Sequence, residues 1–144
     1  MTEHTAAGLA GTVLDGRYRV DEVLGHGGMG SVYRGTDQVL DRQVALKIFR
    51  DDVADANELA RQQSEARMLA QLNHHGLVTL FDTGTLVRGQ REVPFLVMEL
   101  VQGADLHRHL AGGPLAGEET ARLGAQLAEA LDYIHRRGVV HRDV

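Results

Sequence analysis

The stretch "YRVDEVLGHGGMGSVYRGTD", residues 18–37, decides how this chain folds. Its centre, "GHGGMGSV", spaces Gly25, Gly27 and Gly30 as G-x-G-x-x-G-x-V. Glycine tolerates positive φ and lets backbone amides approach an anion closely, so contact with a phosphate is the natural expectation. The spacing alone is weak, because seventeen glycines make chance matches common. Three phosphate-binding designs compete for it. A P-loop requires Lys directly after the last glycine, where this chain has Ser31. A dinucleotide fold requires a helix to begin inside the glycine run. Here "SVYRGTD" continues as a strand and then turns, and Asp51, about twenty residues on, follows with no crossover helix between. A glycine hairpin folded over a nucleotide fits the local pattern, and so does a flexible hairpin that binds nothing.

Outward from this stretch the pattern alternates between strands and helices. "YRVDEVLG", "SVYRGTD" and "QVALKIF" are three short strand-like runs with short connections, which predicts an antiparallel meander. "DANELARQQSEARMLAQL" sets Leu59, Ala66, Leu69 and Leu72 on one helical face. "GLVTLFDTG" and "PFLVMELV" read as two further strands, and "ADLHRHLAG" as a short helix after the break at Gly103. "AGEETARLGAQLAEALDYIHRRG" is strongly helical. Glu118 and Glu119 open it, Arg136 and Arg137 close it, and Gly138 caps it. Residues 1–12 are small and polar without periodicity and are expected to be a disordered leader.

Composition narrows the function. A charge of −5 without a basic block argues against nucleic acid as a partner. No cysteine is present, which removes disulfides, zinc ribbons and thiol chemistry. No apolar run approaches the roughly 18 residues of a membrane span, so a cytoplasmic chain is the default. Fourteen of the fifteen basic residues are Arg and one, Lys47, is Lys. Lys is a compact point charge and Arg a wide fork, so a lone Lys on a strand invites a chemical reason. A half-buried Lys needs a carboxylate, and Glu65 on the following helix is a candidate, with Glu58 as its rival. His74 and His75 are adjacent, and His107 and His109 are two apart. Neither pair has the i,i+4 spacing of helical metal ligands, so no metal site is expected.

Taken in order, "GHGGMGSV", "VALK", the Glu65 helix and "HRD" resemble the eukaryotic-type protein kinases, particularly their bacterial serine/threonine branch. The resemblance runs from Tyr18 to Val144. It implies an α+β fold: a small lobe over residues 13–101, with a five-stranded antiparallel sheet and helix αC, then the first helices of a large lobe over 102–144. It also implies the roles. Leu24, Gly25, His26, Gly27, Gly28, Gly30, Val32 and Ala45 match the loop and walls that enclose ATP. Lys47 matches the lysine on the α- and β-phosphates, and Glu65 its ion-pair partner. Met98 matches the gatekeeper, and Glu99 and Val101 the hinge residues that offer backbone groups to adenine. Leu69, Leu80 and His141 match an internal stack, and Asp105 sits where a ribose contact or a helix cap is expected, the cap being favoured. Asp143 matches the catalytic base, and Arg142 the residue that pairs with a phosphorylated activation loop.

In the family an Asn five residues after the base and a D-F-G aspartate hold Mg²⁺. One residue follows Asp143 here. The expectation is a fragment of an ATP-dependent serine/threonine kinase, inactive alone, whose parent would use Mg²⁺ and a protein hydroxyl as substrate. Leu123, Leu127, Leu131 and Ile134 would then lack most of their packing partners, leaving the small lobe the better-folded half. The alternative is a non-catalytic nucleotide-binding or scaffolding module. A dinucleotide-binding oxidoreductase is opposed by the strand after Gly30.

Overall fold

The computed structural model describes residues 8–27, 30–50 and 56–141. It contains strands β1 (Val13–Leu14), β2 (Tyr18–Gly27), β3 (Gly30–Asp37) and β4 (Arg42–Phe49), then helix α1 (Ala56–Leu69). Strands β5 (Leu80–Arg88) and β6 (Arg91–Glu99) follow, and helices α2 (Leu106–Leu110) and α3 (Gly117–His135) complete the order. All six strands form one antiparallel sheet in the order β1-β2-β3-β4-β6-β5. The chain forms two units. One takes the described residues up to Gln71 together with Thr79–Leu100, and the other takes Leu72–Val78 and the described residues from Val101 onward.

The sheet has one strand more than the five expected. Asp15 and Gly16 both adopt positive φ, and Arg17 N–H closes the turn on the Leu14 carbonyl at 2.9 Å. An Asp-Gly pair at positive φ is the turn that matches strand twist, so Val13–Leu14 folds back onto β2. Residues 8–12 of the expected leader are ordered: Leu9 is buried in the core, and Gly11 N–H donates to the Val20 carbonyl at 2.8 Å. Residues 1–7 of that leader lie outside the described residues.

Alternation along the strands builds the core of the first unit. Val20, Tyr33, Val44, Leu46, Ile48, Val93, Phe95 and Val97 point to one face, where Leu9, Leu14 and Tyr18 join them. Phe95, Leu46, Val44 and Val97 are fully buried, each removing its apolar area from water at about 25 cal/mol per Å². The outer strands β1 and β5 also meet. Tyr18 donates its hydroxyl to Asp82 on β5, and Arg17 lies 3.8 Å from the same carboxylate. Burial, and then this hydrogen bond, push the Tyr18 hydroxyl above its ordinary range.

Asp37, at the end of β3, is the buried charge among the described residues. Arg17 donates to both of its oxygens at 2.8 Å, and the Val39 and Leu40 N–H groups donate at 3.1 and 3.2 Å. A buried carboxylate needs such donors, and here they also shape the turn into β4. The Arg17 hydrogen bonds chiefly hold the Asp37 carboxyl below its usual range, with burial opposing and the two backbone donors assisting.

Helix α1 ends at Leu69, so Leu72 does not extend its apolar face as the periodicity predicts. Leu72 opens the segment that groups with α3, where Asn73 N–H donates to the Tyr133 hydroxyl at 2.9 Å. Tertiary contacts override local periodicity there. In the second unit Asp105 caps α2, accepting from Arg108 N–H at 2.7 Å. Gly138 follows α3 at φ 75°, and Val139 N–H reaches back to the Ile134 carbonyl, closing a Schellman turn. The expected bare stripe on α3 is uneven. Ile134 and Ala130 are buried, Leu123 and Leu131 are half-buried, and Leu127 is 50% exposed.

Candidate functional site

The glycine run forms the hairpin between β2 and β3. Gly25 pairs with Val32, His26 with Ser31 and Gly27 with Gly30, so the two strands run antiparallel up to the Gly27–Gly30 pair. Gly28 lies outside the described residues. Leu24 falls within a register irregularity between the pairs Val23–Tyr33 and Gly25–Val32 and is 49% exposed. Such bulges re-aim side chains and recur next to active sites. His26 Nδ1 lies 2.9 Å from Ser31 Oγ, bridging the two strands near the hairpin tip.

The three glycines serve different purposes. Gly30 is required by packing, because a Cβ there would overlap the Ile48 carbonyl oxygen and lie 2.9 Å from the Phe49 Cα. Gly25 is not: a Cβ there would meet nothing within 4 Å. At Gly27 it would meet only the Gly30 carbonyl, at 3.7 Å. Bare backbone at Gly25 and Gly27 leaves room for a partner outside the hairpin, which suits an approaching phosphate.

Strand register assembles the rest. Val32 pairs with Lys47, Lys47 with Leu96, and Ala45 with Met98. Directly opposed residues share a face, as do residues two apart. Val32, Ala45, Lys47, Leu96 and Met98 therefore line one face of the sheet, opposite the core face of Val44, Leu46 and Ile48. Ala45 is buried and the other four are half-buried. Lys47 stands among these aliphatic walls, and Arg34, which pairs with Ala45, lies on the same face with its guanidinium 3.0 Å from the Glu22 carboxylate. Lys47 Nζ lies 5.4 Å from the Phe49 ring centroid, a cation–π contact along the same face.

The remaining candidates are less fully gathered. Glu65 lies in α1, but its side chain is outside the described residues, as is that of Glu58, so the expected pairing with Lys47 is not placed. Glu99 ends β6 and is locked to Thr79, donating its N–H at 2.9 Å and accepting at its carboxylate from the Thr79 N–H at 3.2 Å. Val101 is exposed and belongs to the second unit. Leu69 and Leu80 are half-buried in the first unit, and His141 is exposed in the second. Arg142 and Asp143 lie outside the described residues.

Sequence reasoning missed two arrangements. The Arg17–Asp37 pair had a signal, an acid ending a strand just before a turn, but no spacing rule links it to Arg17. The second concerns the histidines. His74 and His75 sit in a loop rather than on a helix, and one ligand atom from each lies within 4.8 Å of a Glu129 carboxylate oxygen. The i,i+4 spacing of helical ligands does not address residues in a loop, so it could not find this grouping.

Comparison with known proteins joins these features. Residues 18–144 match the protein kinase domain family. The chain belongs to that family. It is 43% identical over 133 residues to a probable serine/threonine-protein kinase of Streptomyces coelicolor, covering 91% of this chain and 20% of that protein. It is 37% identical over 138 residues to the serine/threonine-protein kinase PrkC of Bacillus subtilis, covering 94% of this chain and 21% of that one. The crystal structure of the Mycobacterium tuberculosis PknI kinase domain superposes with a TM-score of 0.76 at 31% identity, covering 94% of this chain and 54% of the other. The chain thus spans about a fifth of the length of these curated relatives. The α+β fold of a kinase small lobe followed by the first large-lobe helices is that of its family. Among the described residues no helix is long and apolar enough to cross a membrane.

Proposed function

We propose that this chain supplies the nucleotide-binding lobe and the catalytic-loop base of an ATP-dependent serine/threonine protein kinase. The observation that carries the reading is the shared face of Val32, Ala45, Lys47, Leu96 and Met98 beside a glycine hairpin whose Gly25 and Gly27 the fold itself does not require. The aliphatic residues, with Leu24, suit the flat apolar ring of adenine, and Met98 stands as gatekeeper. Glu99 and Val101 offer backbone groups to the ring edge. Gly25, His26, Gly27, Gly28 and Gly30 cover the phosphates, and Lys47 holds them with Glu65 as its carboxylate partner. Asp143 accepts the proton of a Ser or Thr hydroxyl on a protein substrate. Bound Mg²⁺ would neutralise phosphate charge in the parent enzyme. Cytoplasmic ATP makes that side of the membrane the natural setting.

Residues 1–144 contain no Asn five positions after Asp143 and no D-F-G. Taken alone, this stretch binds nucleotide without turning it over. Calorimetric titration with ATP and Mg²⁺, alongside radioactive phosphate transfer to a generic Ser/Thr substrate, tests both statements. The chain should bind ATP, and Lys47→Met should weaken binding about tenfold or more, the worth of a charge-assisted contact. No phosphate transfer is expected. Equal ATP affinity in the two proteins overturns the site, and robust transfer overturns the claim about turnover.

A further inference from the structure

We propose that His74, His75 and Glu129 form a binding site for a divalent transition-metal ion of the Zn²⁺ class, which clamps the segment Leu72–Val78 to α3. All three residues belong to the second unit. One ring nitrogen of each histidine and one Glu129 oxygen lie within 4.8 Å of one another. A tetrahedral Zn²⁺ with bonds of about 2.1 Å spaces its ligand atoms about 3.4 Å apart. Rotation of the His75 and Glu129 side chains, both exposed, closes that gap without moving backbone.

The separation of loop and helix is set by contacts that do not involve the ligating atoms. On one side Asn73 N–H donates to the Tyr133 hydroxyl at 2.9 Å. On the other, Gly76 sits so close to α3 that a Cβ would lie 2.9 Å from the Ala130 Cβ. Ala130 adjoins Glu129, and Tyr133 is one helical turn further on. The two histidines are therefore held between two staples, beside the helix position that carries the carboxylate. Ligands whose spacing is fixed beforehand lose little entropy on binding.

The His74 ring is itself oriented. Its Nδ1 accepts from Gly76 N–H at 3.0 Å, its face lies 4.9 Å from the Tyr133 ring centroid, and its Nε2 lies 3.9 Å from Glu129 Oε1. Its side chain is 11% exposed, whereas that of Glu129 is 62% exposed, so the nitrogen faces a solvated carboxylate. His75 stacks on His74 with centroids 4.3 Å apart. A His74–Glu129 ion pair would account for two of the three residues and gives His75 no part. Two imidazoles and one carboxylate match Zn²⁺, Co²⁺, Ni²⁺ or Cu²⁺, whereas Mg²⁺ and Ca²⁺ prefer oxygen donors throughout. Water completes the coordination on the exposed side. When the metal takes Nε2, the proton of that nitrogen moves through solvent to Nδ1, which then no longer accepts from Gly76 N–H, so that hydrogen bond is lost. That amide therefore reports occupancy of this site and no other.

The test uses the 144-residue chain titrated with Zn²⁺ by calorimetry, with the Gly76 amide followed by ¹⁵N nuclear magnetic resonance. One ion should bind, the Gly76 amide should shift in step with binding, and Zn²⁺ should raise the melting temperature. His75→Ala and Glu129→Gln should each weaken binding by about tenfold or more, as expected for losing one of three ligands. His75 and Glu129 are exposed, so circular dichroism should show both variants folded. The double variant His107→Ala with His109→Ala, which alters the other histidine group, should bind as the parent does. The proposal is overturned by an absence of saturable binding, by unchanged affinity in both His75→Ala and Glu129→Gln, by loss of binding in the His107/His109 variant, or by a Gly76 amide that stays still at saturation.

Discussion

Gly30→Ala and Gly25→Ala should separate stability from binding within one hairpin. At Gly30 the added methyl meets backbone, overlapping the Ile48 carbonyl oxygen and lying 2.9 Å from the Phe49 Cα. No side-chain rotation relieves a clash with backbone, so the β3–β4 pairing must shift locally. Overpacking of this kind costs about 1–3 kcal/mol. The φ of 157° at Gly30 is unfavourable for an L-residue and adds about 1 kcal/mol. The total is about 2–4 kcal/mol. Gly25 has no positive φ and nothing within 4 Å of an added Cβ. Alanine there should leave stability unchanged or raise it by about 0.4–1 kcal/mol, through a less flexible unfolded chain. Urea unfolding followed by circular dichroism measures both changes, and ATP titration measures the other consequence. Gly25→Ala should bind ATP more weakly while remaining fully stable, because its methyl occupies space assigned to phosphate. If Gly30→Ala unfolds at the parent's urea midpoint, the steric reasoning fails. If Gly25→Ala binds ATP as the parent does, the phosphate assignment fails.

The Asp37 carboxyl is held below its ordinary pKa, chiefly by Arg17, so its contribution to stability is present above its unfolded pKa of about 4 and fades as pH falls through the lower folded value. The parent should therefore exceed Asp37→Asn in urea midpoint by a constant margin from neutral pH down to about pH 5, and by a smaller margin near pH 3; a margin that widens with acid would refute this. Phe95→Ala empties a fully buried site at the centre of the β-sheet core and should cost about 3–5 kcal/mol in the same assay, with a loss below about 1 kcal/mol counting against that core.

Much of the small lobe was legible because its signals are local. Alternation in "QVALKIF" fixes which residues of β4 face inward, and the glycine run marks the hairpin between β2 and β3. The order of "GHGGMGSV", "VALK" and "HRD" was enough to indicate the family, since each motif is a short run whose spacing survives without coordinates. Even the sixth strand had a signal in "VLDGRY", where Asp15-Gly16 marks a turn, although two residues are too few for alternation to register.

Other features depended on which segments meet. Sequence makes Gly25, Gly27 and Gly30 equivalent members of one motif, yet only Gly30 lies against β4 backbone, because strand pairing brings Ile48 and Phe49 there. Helical periodicity carried through Leu72, but the loop after α1 docks on Tyr133 and Ala130, and the helix stops at Leu69. His74 and His75 acquire Glu129 as a neighbour by the same docking. Local pattern determines strands, turns and the motifs they carry. Close approach between distant segments decides which glycine is structural, which charge is buried and which histidines converge, since those outcomes depend on distances that no spacing along the chain encodes.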